Sequence, residues 1–221
     1  MSGKRFKTVK VKTAKGRKSS STRWLQRQLN DPYVQLAQAE GYRSRAAFKI
    51  IELDEKFKLF KPNTPMNIVD LGAAPGGWTQ IALQKTNDKA QVVGIDLLEI
   101  EPMAGATFLQ HDFTEDDAPD LLIEHMGGKA DVVMSDMASN TTGHAQTDHL
   151  RIMMLCEMAY DFAVQVLNPS GTFICKVRQG GTEGDLLKMM QKQFTSVKHA
   201  KPQASRKDSA ESYVVATGFR G

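Results

Sequence analysis

Lys176 is the residue most out of place in this chain, a charge inside the otherwise apolar run Phe173-Ile-Cys-Lys-Val177. A sheet covered on both faces has no room for an unpaired ammonium, so this lysine must either snorkel out of the core or meet a partner. Asp131-Val-Val-Met-Ser-Asp136 is a second apolar run, and it ends in an acid. A strand-end lysine beside a strand-end carboxylate makes a candidate catalytic pair that could hold a hydroxyl and move its proton. Two further runs, Gln91–Asp96 and Thr107–Asp112, also end in Asp, and Asp70 closes Ile68-Val-Asp. One Asp after a strand is usually a turn former or a helix cap. Four of them at the carboxyl edge of an open α/β sheet mark the edge where such sheets bind ligands.

The ligand is indicated by Gly72-Ala-Ala-Pro-Gly-Gly77, a turn of small residues between the strand Ile68–Leu71 and a helix expected from Trp78. Glycines let a bulky ligand approach the backbone, and the free N–H groups of the following helix would face it. A dinucleotide fingerprint needs G-x-G-x-x-G, but Ala74 stands two residues after Gly72; a P-loop needs Gly-Lys, but Trp78 follows Gly77. Asp70 would repel a pyrophosphate and welcome an amino-acid ammonium. S-adenosylmethionine has that ammonium and no phosphate. Asp96, about 20 residues beyond the turn, stands where a Rossmann site holds ribose hydroxyls. Asp112 could accept from the adenine amino group.

The elements that must position these groups follow from periodicity. Ser44 can cap a helix from about Arg45 to Phe60, with Ile50, Leu53, Phe57 and Phe60 on one stripe. Lys49 lies about 20° from Phe60 on the helical wheel and so borders the buried face. Pro62 and Pro65 end that helix. Asn140 to Gly143 reads as a loop, and a long helix is expected from about Thr147 to Leu167. Pro169-Ser-Gly171 turns into the strand Thr172–Val177. A helix at about Glu183–Phe194 and the strands Ser196–Ala200 and Ser212–Thr217 complete the chain. Strands alternating with helices predict an α/β fold with a mainly parallel sheet of seven strands. The short link between the last two strands permits an antiparallel edge hairpin.

At 221 residues the chain suits one domain with a short extension. Residues 1–22 are polar and are expected to be a disordered arm, leaving 23–221 as a single domain. The net charge of +4 conceals a division, because residues 1–30 hold ten Lys or Arg and no acid. The remainder has 19 basic against 25 acidic residues. So concentrated a basic arm suits a polyanion, with a solubilising tail or a transit peptide as the other readings. Cys156 and Cys175 sit in apolar segments as buried thiols of a reducing compartment, and no zinc site is visible. No apolar run approaches a membrane span. The cytoplasm is the expected compartment.

Taken together, Ser44-Arg-Ala-Ala-Phe-Lys49, Asp70-Leu-Gly-Ala-Ala-Pro-Gly-Gly-Trp78, Ser135-Asp-Met137, Lys176-Val177 and Ser209-Ala-Glu-Ser-Tyr213 resemble the FtsJ-type ribose 2′-O-methyltransferases. The resemblance runs from about Ser21 to Gly218. It implies a Rossmann-like class I methyltransferase fold and a Lys-Asp-Lys-Glu tetrad on Lys49, Asp136, Lys176 and Glu211. It places the S-adenosylmethionine site on Gly76, Trp78, Asp96, Asp112 and Asp136. It also implies the substrate, a uridine of the 23S rRNA A-loop in the large ribosomal subunit. A monomer is the expected acting species. Ser139 departs from the pattern, where the family usually has Pro.

These residue types suit the reaction. A sulfonium donor is already reactive, so the protein must align a ribose oxygen with the methyl carbon and remove a proton. Two roles are open to Lys176, general base or a holder of the 2′-oxygen that takes its proton late. Lys49 would lower its pKa as a nearby cation, and Asp136 and Glu211 would raise it. Neither role needs a metal. The rival readings are a tRNA anticodon-loop methyltransferase, a non-catalytic RNA-binding or ribosome-assembly factor, and a nicotinamide dehydrogenase. The intact tetrad speaks against the second and the missing G-x-G-x-x-G against the third.

Overall fold

The computed structural model describes residues 10, 19–139, 142–178, 184–206 and 209–221. Short apolar runs with turn residues between them give seven strands: β1 (Met66–Leu71), β2 (Ala90–Asp96), β3 (Ala106–Gln110), β4 (Ala130–Ser135), β5 (Leu167–Arg178), β6 (Phe194–Ala200) and β7 (Glu211–Phe219). They form one sheet in the order β3-β2-β1-β4-β5-β7-β6. β7 runs antiparallel to both β5 and β6, and every other pairing is parallel. The expected hairpin therefore closes one edge, with β6 outermost and β7 inserted beside β5.

The described helices are α1 (Ser19–Leu29), α2 (Pro32–Glu40), α3 (Ala47–Phe57), α4 (Gly77–Lys85), α5 (Ala118–His125), α6 (Ala145–Val166) and α7 (Gly184–Gln193). Alternate side chains along each strand feed two cores. Val69, Val133, Phe173 and Val214 pack with α5, α6 and α7 on one face. Ile68, Val132, Ile174 and Val215 pack with α3 and α4 on the other. The chain leaves β1 outward through β2 and β3, then returns to β4 on its other side, which puts a topological switch point between β1 and β4.

Several boundaries differ from the sequence expectation. Helical structure begins at Ser19, within the segment expected to be disordered to residue 22. Ser44 does not cap α3; the N-cap is Ala46, with no side-chain bond, and the Ser44 hydroxyl is enclosed without a partner. α3 ends at Phe57 because Lys58 turns left-handed at φ 56°, before either proline is reached. The Pro169–Gly171 turn survives as an irregularity inside β5, where Ser170 has φ 67° and the register with β4 shifts. Local propensity did not reveal α2 or α5, and Asn140 lies outside the described residues.

The loops after β1 and β4 press together at the switch point. Gly72 has φ +77°, and a Cβ there would lie 2.8–2.9 Å from Met137 Cγ, Cα and N. Any side chain meets both backbone strain and backbone atoms. Gly72→Ala is expected to destabilise the protein by about 2 kcal/mol or more in denaturant unfolding, with an unchanged m-value.

Candidate active site

Period-two alternation places Met134 and Asp136, Ile174 and Lys176, and Glu211 and Tyr213 in the same sense as the α3–α4 core, so α3 lies over them and lowers Lys49 onto the strand ends. The four residues expected to form a tetrad meet. Lys49 Nζ lies 2.7 Å from Glu211 Oε1 and 3.8 Å from Asp136 Oδ2. Lys176 Nζ lies 3.0 Å from Asp136 Oδ1 and donates to the Asp136 carbonyl at 2.7 Å. Lys49 and Lys176 are 6% and 8% exposed, so burial is tolerable only because two ammoniums face two carboxylates.

Tyr213, whose motif was visible in sequence but whose role was not, stands at the centre. It is fully buried opposite Lys176 in the β5–β7 register. Its hydroxyl donates to Asp136 Oδ1 at 2.6 Å, accepts from Lys49 Nζ at 3.0 Å and lies 3.2 Å from Glu211 Oε1. Its place two residues after Glu211 on a strand was the available signal, since that spacing puts both on one face.

The pair electrostatics work against burial and win. Burial favours a neutral Asp136, but Lys176 and Lys49 hold its carboxyl below the usual range. Glu211 is likewise held low by Lys49 and Lys176 against the effect of burial. Burial favours a neutral Lys176, yet Asp136 and Glu211 raise it above the ordinary lysine value. The resting state of Lys176 is therefore an ammonium. Burial, then Asp136 and Glu211, push the Tyr213 phenol far up, so it stays a donor.

Asp136 is shared with a cavity of about 460 Å³ beside the switch point, whose lining also includes Gly72, Ala74, Asp96, Asp112 and Arg151. That volume is within the range of about 300–1,000 Å³ usual for small-molecule sites. Asp96 accepts from the N–H groups of Ala74 and Leu98, both at 2.9 Å, which ties the end of β2 to the glycine turn. Asp112 accepts from the N–H and hydroxyl of Thr114, which hold its carboxyl below the usual range. Asp148 bonds the N–H and hydroxyl of Thr142 at 2.7 Å and so fixes the far end of the loop after β4. Ser139, at the position where the resemblance expects Pro, lines the cavity with its hydroxyl enclosed and unpartnered.

Gly76 and Trp78 stand apart from the cavity lining. Gly76 has φ +97°, and a Cβ there would touch the Arg43 guanidinium. The Trp78 ring is buried against Tyr213, at 5.6 Å between centroids, and its Nε1 donates to the Ala46 carbonyl. The indole itself backs the tetrad. A second cavity of about 300 Å³ at the opposite edge of the sheet has no Asp, Glu, Lys or Arg in its lining. Among the described residues, no cluster of His, Cys, Asp and Glu has the arrangement of a metal site. No described helix is long and apolar enough to cross a membrane.

Asp70 is wholly buried beneath the first turn of α4, where Thr79 donates its hydroxyl at 2.7 Å; the other carboxylate oxygen has no partner. Burial raises its pKa from 3.8 to about 7, against the bond from Thr79.

Comparison with known proteins follows the same outline. A family model described as FtsJ-like methyltransferase matches residues 42–219. A protein of Paramagnetospirillum magneticum named ribosomal RNA large subunit methyltransferase E is 62% identical over 224 residues, covering 99% of this chain and 91% of that one. Its namesake in Ruegeria pomeroyi is 60% identical, covering 99% and 97%. Among solved structures, a Plasmodium falciparum protein assigned as a ribosomal RNA methyltransferase superposes with a TM-score of 0.71 at 32% identity. It covers 81% of this chain and 100% of that one.

Because the Asp70 pKa is higher folded than unfolded, the folded state binds the extra proton, and stability falls as pH rises through the window from about 4 to about 7. Asp70→Asn removes the titrating group. The stability of wild type relative to Asp70→Asn is expected to decline across that window in urea unfolding at each pH, and a pH-independent difference would refute the assignment.

Proposed function

Because the chain belongs to the FtsJ-like methyltransferase family, we propose that it transfers a methyl group from S-adenosylmethionine to a ribose 2′-oxygen of large-subunit ribosomal RNA. One observation carries the ribose reading: a neutral, buried Lys-Asp-Lys-Glu cluster that shares Asp136 with the ligand cavity. A group that removes a proton from an alcohol must stand beside the cavity holding the donor, and Lys176 is so placed. The name shared by relatives about 60% identical supports the large-subunit RNA as substrate. The motif resemblance narrows it to a uridine of the A-loop in 23S rRNA, and the cytoplasm is the compartment of such a particle.

The residues fit the donor. Asp96 and Asp112 keep free lone pairs for the ribose hydroxyls and the adenine amino group, since each carboxylate oxygen has two. Asp70 is wholly buried and outside the cavity lining, so it would act on the ammonium end through its charge and not by contact. When bound, S-adenosylmethionine supplies a methyl carbon on a cationic sulfur.

On this reading Lys176 acts as the base in its neutral, minority form. It takes the proton of the 2′-hydroxyl, and Asp136 stabilises the ammonium that results. Lys49 holds Glu211 and Tyr213 in place and keeps a second positive charge near the reacting oxygen. Alignment of that oxygen supplies much of the remaining acceleration.

The decisive experiment gives wild type and variants a labelled donor with large ribosomal subunits or tRNA, followed by alkaline hydrolysis. Large subunits should acquire one alkali-resistant phosphodiester bond, because a methylated 2′-oxygen cannot attack its own phosphate. Lys176→Ala should lower kcat by about 10²–10⁴-fold with donor affinity nearly unchanged. Wild-type kcat should climb about tenfold per pH unit below the raised Lys176 pKa, as the neutral amine becomes more abundant. Methylated base with free ribose would sink the assignment, and methylated tRNA would redirect it.

The basic arm is read as a phosphate-binding device. Residues 1–18 hold eight Lys or Arg, and each phosphate contact adds about 0.9 to the slope of log K against log salt. Deleting residues 2–18 should weaken binding to ribosomal particles and flatten that slope while donor binding persists. An unchanged slope would leave the arm a role in solubility or targeting only.

A further inference from the structure

The segment between β6 and β7 brings a hydrogen-bond donor to the tetrad. Ser205, 4% exposed, donates its hydroxyl to Glu211 Oε1 at 2.9 Å, the same oxygen that Lys49 engages. What fixes Ser205 lies far away in sequence. The Ala204 carbonyl accepts from Arg45 at 2.6 Å, and the Gln203 and Ala204 N–H groups donate to the Glu52 carboxylate. Arg206, the next residue along, donates to Gln28 in α1 at 2.7 Å.

Asp31, between α1 and α2, joins these threads. It is 8% exposed, and its Oδ2 lies 3.0 Å from Arg45 Nε and 3.3 Å from Arg206 Nε. Its Oδ1 accepts from the Tyr33 N–H and caps α2. One carboxylate therefore clamps two guanidiniums, one on each side of the segment that carries Ser205. Each guanidinium meets the carboxylate through one nitrogen, so Asp31 holds the two by charge at close range, while the bonds to the Ala204 carbonyl and to Gln28 set their orientation.

We propose that Asp31 is a positioning residue for the tetrad, holding Arg45 and Arg206 so that Ser205 keeps the Glu211 carboxylate on Lys49. The proposal rests on the catalytic reading of the tetrad. It assigns the helices next to the basic arm a part in catalysis as well as in binding, because α1 runs directly from the arm to the Gln28–Arg206 contact.

Asp31→Asn in the full chain keeps the cap acceptor and the side-chain size and removes the charge that both guanidiniums share. Its kcat on large ribosomal subunits is expected to fall about tenfold, with KM for donor and for particles within about twofold of wild type. Ser205→Ala should fall similarly, and the double variant should fall no further than either single one. Isotope-edited carboxyl NMR of Glu211 should show its titration moving upward in both, since a hydrogen bond to the charged form has been lost. An unchanged kcat, a double-variant loss equal to the product of the single losses, or an unmoved Glu211 titration would overturn the proposal. If Asp31→Asn fails to fold, Arg206→Gln replaces it in the same cycle. Should wild type place no methyl on ribose, the catalytic reading falls, and the Glu211 titration still decides whether the clamp exists.

Discussion

Two buried ammonium groups, Lys49 on α3 and Lys176 near the end of β5, constrain everything around them. Neither survives away from water without a carboxylate, and losing one partner of such a pair leaves a buried charge costing about 3–5 kcal/mol. The chain answers with a quartet of zero net charge, Lys49 and Lys176 against Asp136 and Glu211, with the Tyr213 hydroxyl inside it. Each partner comes from a different element. α3, β5, the end of β4 and the start of β7 must therefore converge within a few ångströms, and their helices and loops are arranged to that end.

The same constraint explains the supports. Trp78 carries no polar task in the cavity, but its ring backs Tyr213 and its N–H ties α4 to the start of α3. Gly77 lets α4 come so close to the chain before α3 that a Cβ there would meet the Ser44 hydroxyl. The Asp31 clamp performs the equivalent service on the opposite flank. Lys176 is an ammonium at rest, because Asp136 and Glu211 hold its proton more strongly than burial removes it. On the proposed mechanism, a site built this way trades readiness of the base for fixed geometry.

Asp136 links this quartet to the neighbouring cavity, and the switch point is where such a link can form. β1 and β4 diverge there into the glycine turn and the Asp136 loop, joined by the Asp136 N–H bond to the Leu71 carbonyl. Asp96 and Asp112 reach the cavity from the next two strands outward, while the tetrad lies on the other side of β4. A ligand at the switch point and an alcohol at the tetrad would thus meet across a single carboxylate.

The strand–turn–helix at Ile68–Trp78, the acids at the strand ends and the anomalous lysine in β5 were legible in the sequence because each is a local pattern. Apolar runs of period two, a loop where only small residues fit and one charge in a buried strand need no knowledge of neighbours. Lys49 was legible only as bordering a buried face, and Glu211 only through a family motif. Tertiary structure decided the rest. Insertion of β7 beside β5 brings Tyr213 opposite Lys176, and register between strands far apart in sequence leaves no local trace. The end of α3 at Lys58, the enclosed Ser44 and the burial of Trp78 followed from packing that overrode capping and proline signals. Side-chain type and spacing told which groups could do chemistry. Only the sheet order determined which of them stand together, since pairing energies are spent between residues that the chain brings close in space and not in sequence.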